Sequence, residues 1–362
     1  MNDRSPASVN QEAVPANDRA PDANPVLVEV WRGDAVESRH RGAAAVIDET
    51  GALLMSWGDI ERPIYPRSAV KPLQALALLE TGAAEAYRVS DEEVALACAS
   101  HNGEPAHVSL AGAWLARIGL GASNLECGAH PPLGRQASET LIAARQPPSP
   151  LHNNCSGKHT AMLTTARHLG EPIEGYVDAD HPVQVRIRDL LSEMAGCDLE
   201  EAPRGTDGCS IPTYAAPLRN LARAMSWFAA PDTLPPGRGE AARRIAKALT
   251  THPFMIAGSG RFDTQLISRS NAAALVKTGA EGVYMGAVPA RGGRPAMGIA
   301  LKIDDGATRA SEVAMAGLLR YLDVLDDAAW GRLLSIAQPR LKNWRGIETG
   351  TIRTAPGWLD RG

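Results

Sequence analysis

Arg67-Ser68-Ala69-Val70-Lys71 places a hydroxyl and an amine three residues apart at the head of an apolar run, Leu73 to Leu79. Residues three apart share a face in a first helical turn, and a tight 3₁₀ turn eclipses them. Pro72 has no N–H and suits a helix start. A lysine there can activate the serine as a nucleophile, provided the amine is free to take its proton. Alone, the S-x-x-K spacing commonly marks a surface cap followed by a solvated lysine. Two further pieces change that. Ser100-His101-Asn102 supplies a second hydroxyl with an amide, and Lys277-Thr278-Gly279 supplies a cation on a strand-like run. Together they suit acyl transfer, with Ser68 attacking a carbonyl, Lys71 accepting its proton and Lys277 standing beside the substrate.

S-x-x-K, S-x-N and K-T-G in that order form the three-part pattern of serine penicillin-recognising enzymes. A second polar cluster lies between them. His152-Asn153-Asn154-Cys155-Ser156-Gly157-Lys158-His159 opens a helical pattern, and Thr206-Asp207-Gly208-Cys209-Ser210 reads as a turn. Spacing leaves three uses open: a zinc ion on the thiols with a neighbouring His or Lys, an anion on the turn's N–H groups, or two buried small thiols. A nucleotide P-loop does not fit. Gly258 to Thr264 is another glycine turn into a helix. There Arg261 is a candidate carboxylate clamp, while Arg261 and Asp263 also suit an ordinary cap and surface. Cys98, Cys127 and Cys197 read as structural.

The elements that must position these groups fall into an order. Strands are expected at 26–31, 44–48, 52–55, 273–277, 282–285 and 296–303. Helices are expected from 71 to near 82, then at 90–100, 106–118, 140–145, 156–169, 183–195, 213–228, 240–249 and 311–325. Ser90 with Glu93 makes a capping box, and Gly170 closes a helix. Strands at both ends with helices between predict an α/β fold of the α+β type: one antiparallel sheet from the two termini, with a helical lobe from the middle. The site is expected in the cleft between lobes. The expected divisions are a disordered tail at 1–24, rich in Pro, Asn, Asp and Ala, a single domain at 25–343, and a C-terminal extension at 344–362. Within the domain, the sheet lobe takes 25–60 and 270–325, and the helical lobe about 66–255.

Composition narrows the partners. Net charge is −4 with no basic stripe, and aromatic residues make up 4% of the chain. Nucleic acid is therefore not an expected partner. No stretch approaches a transmembrane span, and the first residues lack the apolar core of a signal peptide. A cytoplasmic protein is therefore expected, its five cysteines serving as free thiols or in a metal site and not in disulfides.

The Arg67–Pro72 run, Ser100 to Glu104, the 152–159 run, Thr206 to Cys209 and Val276 to Gly282 together resemble the rhizobial-type L-asparaginases, or asparaginase II family, over about 25–325. That family is similar in fold to serine β-lactamases and glutaminases. The resemblance implies an amidohydrolase that turns L-asparagine and water into L-aspartate and ammonia through an acyl-enzyme. It implies two Ser-Lys pairs, Ser68 with Lys71 and Ser100 with Lys277. It further implies one Zn2+ per chain on Cys155, Lys158 and Cys209, with His159 and Asp207 close by, and a homodimer. Arg67, Asn102, Thr278 and Gly279 are expected to bind substrate or support those that do. The alternatives are a β-lactamase- or peptidase-like serine hydrolase, a glutaminase, or a non-catalytic amino-acid-binding protein on the same fold.

Overall fold

The computed structural model describes residues 23–359. The expected tail at 1–24 lies outside the described residues except for its last two. Of these, Asn24 is tied down: its amide donates to Asp304 at 2.9 Å, and its side-chain oxygen accepts the Asp59 N–H at 2.7 Å.

The main sheet contains β1 (Val26–Arg32), β2 (Ala35–Asp48), β3 (Leu53–Trp57), β4 (Leu275–Thr278), β5 (Val283–Val288), β6 (Met297–Ile303), β7 (Arg340–Lys342) and β8 (Glu348–Thr354). Its order is β7-β8-β1-β2-β6-β5-β4, with β3 also paired to β2. Every pairing is antiparallel. The two ends of the chain thus build one sheet, as the pattern predicts. Every residue of β4 and β5 is buried. A strand buried on both faces reads as a continuous apolar run instead of an alternation, as Val283-Tyr284-Met285 does. The sheet is packed by α4 (Leu218–Ala229) and α6 (Thr308–Tyr321).

The helices that bear on the site are α1 (Lys71–Gln74), α2 (Asp91–Ala97), α3 (Ser156–Leu169) and α5 (Phe262–Arg269). The capping box at the start of α2 forms as expected, and Gly170 closes α3 in the left-handed conformation. No helix among the described residues is long and apolar enough to cross a membrane.

Three sequence expectations change. The helix expected at 213–228 begins at Leu218. Pro212–Tyr214 pairs instead with Arg204–Thr206, and Ala216–Pro217 with Pro63–Ile64. Pro212 and Pro217 favour extended backbone at their predecessors and end the helical option. The stretch set apart as a C-terminal extension contributes β8, which lies between β1 and β7 with Ile352 buried. Its polar alternation, Glu-Thr-Gly-Thr-Ile-Arg-Thr, hides a half-buried strand. The first half of β2, 35–41, is likewise too charged to read as a strand, yet it pairs with β1.

Candidate active site

Arg67–Val70 forms the 3₁₀ turn and runs directly into α1. Pro72 falls in the first turn of α1, where a missing N–H costs nothing. Arg67 has a φ of 52°, a left-handed backbone that a non-glycine residue keeps only when its surroundings enforce it. Its guanidinium donates to Asp207 at 3.0 Å. The residue before Ser68 is therefore clamped by the 204–214 hairpin. On the other side, Gly279 comes so close that a Cβ there would lie 2.7 Å from the Pro66 carbonyl oxygen. The strand that carries Lys277 is thereby laid directly against the Ser68 turn.

Lys71 is 1% exposed. Its amine donates to the Ala99 carbonyl at 2.5 Å, to Ser100 Oγ at 2.9 Å and to Cys155 Sγ at 3.1 Å. Those contacts use all of an ammonium's donors, so Lys71 is turned to Ser100 and not to Ser68. Ser68 itself is half-buried, the most accessible of the four Ser and Lys residues in the cluster. Lys277, also 1% exposed, reaches the same Ser100 hydroxyl at 3.1 Å and the Thr278 carbonyl at 2.9 Å. Ser100 is thus flanked by two buried lysines. Burial pushes the Lys277 amine down to about 7; Asp263 opposes that fall, while Lys71 and Arg261 add to it.

Ser100 follows α2, and the chain from there is pinned by backbone bonds from Ser100 to Ile256 and from Asn102 to Ala257, each 2.9 Å. Asn102 is occupied at both ends of its amide. It donates to Glu104 (2.9 Å) and the Ser259 carbonyl (3.0 Å), and it accepts from Arg261 (3.1 Å). Its role is thus to knit the 258–261 turn to the Ser100 segment. Thr278 is buried in β4 beside Lys277. Buried His101 accepts the Gly103 N–H and contacts Ser156 Oγ at 2.9 Å; burial, His107 and Lys71 all disfavour its charged form.

The thiol cluster adjoins this array through Cys155. Gly157 opens α3, and a Cβ there would lie 2.2 Å from the Leu96 carbonyl oxygen. That close approach of α3 to α2 is what brings Cys155 and Lys158 beside Ser100. Lys158 donates to Cys209 at 3.0 Å. Cys155 and Cys209 hydrogen-bond to each other, so that pairing draws the Cys155 thiol well down and pushes Cys209 up. Burial works to lower Lys158, but Cys209, Cys155 and Asp207 outweigh it and hold the amine charged. Among the described residues, no trio of His, Cys, Asp and Glu is arranged for a metal. Here two sulfurs and an amine converge, and that donor set fits three corners of a zinc tetrahedron once Lys158 gives up its proton. Asp207 is held by Arg67. Buried His159 contacts the Tyr176 hydroxyl at 2.7 Å through Nδ1, while its Nε2 has no partner among the described residues.

The structure also shows what the sequence hid. Asp263, which suits a surface cap by position, is 1% exposed and lies 3.6 Å from Lys277. Glu104 braces Asn102 and also accepts the Ser259 N–H at 2.7 Å. Only the glycine turn beside Asp263 hinted at a close approach. A cavity of about 560 Å³ shares Asn102 and Glu104 with this region and is lined further by Gly134, His152 and Ser259, but by none of Ser68, Lys71, Ser100 or Lys277. The Ser68, Lys71, Ser100 and Lys277 cluster therefore lies beside that cavity, not in it.

The family model described as L-asparaginase II matches residues 28–354. No curated protein matches the chain. Among solved structures, Mglu in its native form is similar at 15% identity over 80% of this chain, with a TM-score of 0.44. The chain spans 66% of the length of that Mglu chain. The Bacillus subtilis glutaminase YbgJ, in covalent complex with 5-oxo-L-norleucine, is similar at 12% identity over 78% of this chain and 87% of its own, with a TM-score of 0.39.

Proposed function

The chain belongs to the L-asparaginase II family, and from that premise we propose that it is an amidohydrolase converting L-asparagine and water to L-aspartate and ammonia. The observation that carries this reading is the buried Lys71–Ser100–Lys277 array set directly behind the accessible Ser68 turn. Ser68 attacks the side-chain amide carbon. Its proton passes to Lys71, which follows the 3₁₀ turn directly and has to turn from Ser100 toward Ser68 as a neutral amine; the amide nitrogen then takes that proton and leaves as ammonia while an acyl-enzyme forms on Ser68. Water then takes the acyl group. Ser100 links the two amines, so a proton taken up by Lys71 can be relayed to Lys277. With its value near 7, Lys277 exchanges that proton at neutral pH. Backbone N–H groups, that of Ser68 among them, meet the developing oxyanion.

Zn2+ belongs to this reading, with Cys155, Lys158 and Cys209 as its ligands. When bound, it supplies a fixed positive charge beside the Ser100 array. Arg67 and Asp207 fix the Ser68 backbone from the same side. A homodimer is also part of the proposal, carried by resemblance alone.

Glutamine is the rival substrate, and a β-lactam the more distant one. Ammonia release by the pure protein from asparagine and from glutamine, with nitrocefin hydrolysis beside them, tests the proposal. Asparagine turnover with little glutamine or nitrocefin activity is expected. Preference for glutamine or nitrocefin overturns the substrate, and no turnover of any of the three overturns the catalytic reading.

A further inference from the structure

Lys277 has to hold its amine on Ser100 from the edge of a sheet, the place where a strand is least constrained. Among the described residues β4 pairs only with β5 and ends the sheet. The residue that secures this edge comes from a different element. Asp263, in the first turn of α5, is 1% exposed and makes three contacts with the strands. One carboxylate oxygen accepts the Thr278 N–H at 3.2 Å and lies 3.6 Å from Lys277 Nζ. The other accepts the Tyr284 hydroxyl on β5. Thr278 and Tyr284 are directly opposed in the β4–β5 register. A single carboxylate thus joins both edge strands at one rung and faces the lysine next to it.

We infer that Asp263 is the positioning residue for Lys277: it anchors the β4 edge and holds the amine directed at Ser100. This inference rests on the amidohydrolase reading for its catalytic meaning, but not for its structural one. The geometry suits a base. The Lys277 amine already donates to the Thr278 carbonyl, and the carboxylate 3.6 Å away attracts its remaining N–H, which leaves the nitrogen lone pair of the neutral amine for the Ser100 proton. An alternative, that Asp263 merely caps α5, does not account for its contacts, since both oxygens are spent on the sheet. The groups around this pair are Arg261 on the same turn, Lys71 and Cys155 beyond Ser100, Cys98 after α2, Tyr284 on β5 and Glu312 on α6. The carboxylate works to keep a proton on Lys277 against the effects of burial, Lys71 and Arg261.

The test follows the Lys277 amine itself. Protein as purified, labelled with carbon-13 at the lysine ε position, is titrated by NMR, with the Lys277 resonance assigned by its loss in Lys277→Met. Asp263→Asn keeps the shape and removes the charge, and the Lys277 midpoint is expected to fall by about one to three pH units. Asp263→Glu keeps the charge and is expected to hold the midpoint near that of wild type. Tyr284→Phe leaves the carboxylate without its phenol donor, and the midpoint is expected to rise. A merely structural Asp263 lowers thermal stability in all three variants and leaves the midpoint alone, which overturns the inference. Should Asp263→Asn fail to fold, an unmoved midpoint in Tyr284→Phe overturns it equally. Ammonia release measured on the same samples keeps the two ideas apart: an inactive wild type sinks the amidohydrolase reading, while the titration still judges Asp263.

Discussion

Replacing Lys277 with Met gives a protein whose stability responds to pH differently from wild type, and the size of the difference follows from burial. The Lys277 amine falls from an ordinary value of 10.5 to about 7 on folding. Below about pH 7 the lysine is protonated in both the folded and unfolded states, and the folded protein bears the whole cost of a buried charge. Between about 7 and 10.5 the unfolded chain holds a proton that the folded protein has lost, so stability rises with pH. Above that window the cost is gone. The full step is about 5 kcal/mol at 1.36 kcal/mol per unit. Between pH 6 and pH 9, about 2.5 kcal/mol of it is recovered. Met fills similar volume without a charge, so the variant lacks this step. It also strips Asp263 of its cation, which offsets the absolute gain. The slope is the cleaner quantity. Urea unfolding of both proteins at several pH values across that range reads it, and wild type should gain on the variant as pH rises. Parallel stability curves, or a gain in the opposite sense, would refute the claim that this amine is held near neutrality by burial.

Other outcomes follow from the same contacts. Ser68→Ala should abolish asparagine turnover with an unchanged circular dichroism spectrum, since it removes only one half-buried hydroxyl; retained activity of more than a few per cent would move the nucleophile to Ser100. Below about pH 7, kcat/KM should fall tenfold per pH unit as Lys277 gains its proton, and a flat profile there would remove Lys277 from the proton relay. Metal analysis should find zinc near one per chain, lost in Cys155→Ala or Cys209→Ala and released as pH falls, because thiolate and amine ligands must be deprotonated; a protein that never takes up zinc sinks the assignment. Gly157→Ala forces a methyl into the Leu96 carbonyl and should destabilise by about 3 kcal/mol or more, lowering the melting temperature with some loss of activity; a neutral effect would show that α3 can retreat from α2 without cost.

Much of the candidate site was legible because its parts are short and locally determined. Ser68 and Lys71 share one turn, and Pro72 marks where that turn becomes a helix. Gly157 and Gly279 stand where backbones nearly touch. The partnership between residues was less legible. Spacing pairs Lys71 with Ser68, yet the folded Lys71 amine turns to Ser100 and Cys155, which lie 29 and 84 residues away. Only the packing of α1 against the end of α2 and the start of α3 decides that. Asp263 shows the same limit. Its local sequence suits an exposed cap, and nothing nearby in the chain announces that Thr278 and Tyr284 will meet it. In the fold, apolar strands such as β5 were plain, whereas β8 and the first half of β2 carry polar residues on their exposed positions and gain their identity from their neighbours.

The site's arrangement explains why its chemistry and its stability pull against each other. Two lysines at 1% exposure flank a single hydroxyl, and both are among the largest fully buried side chains in the protein. Burial of an unpaired amine is costly, and like charges add to the cost. A fold selected for stability alone would place leucine or methionine at such positions. The structure instead offsets each amine with a different partner. Lys71 donates to Cys155, Lys277 faces Asp263 and Lys158 donates to Cys209, so each of these three buried amines has its own partner. Ser100 lies between the first two of these pairs and is in hydrogen-bond reach of both amines, so a proton can pass from one to the other through its hydroxyl. That is the physical reason to expect Ser100 to matter to turnover even though Ser68 is the proposed nucleophile.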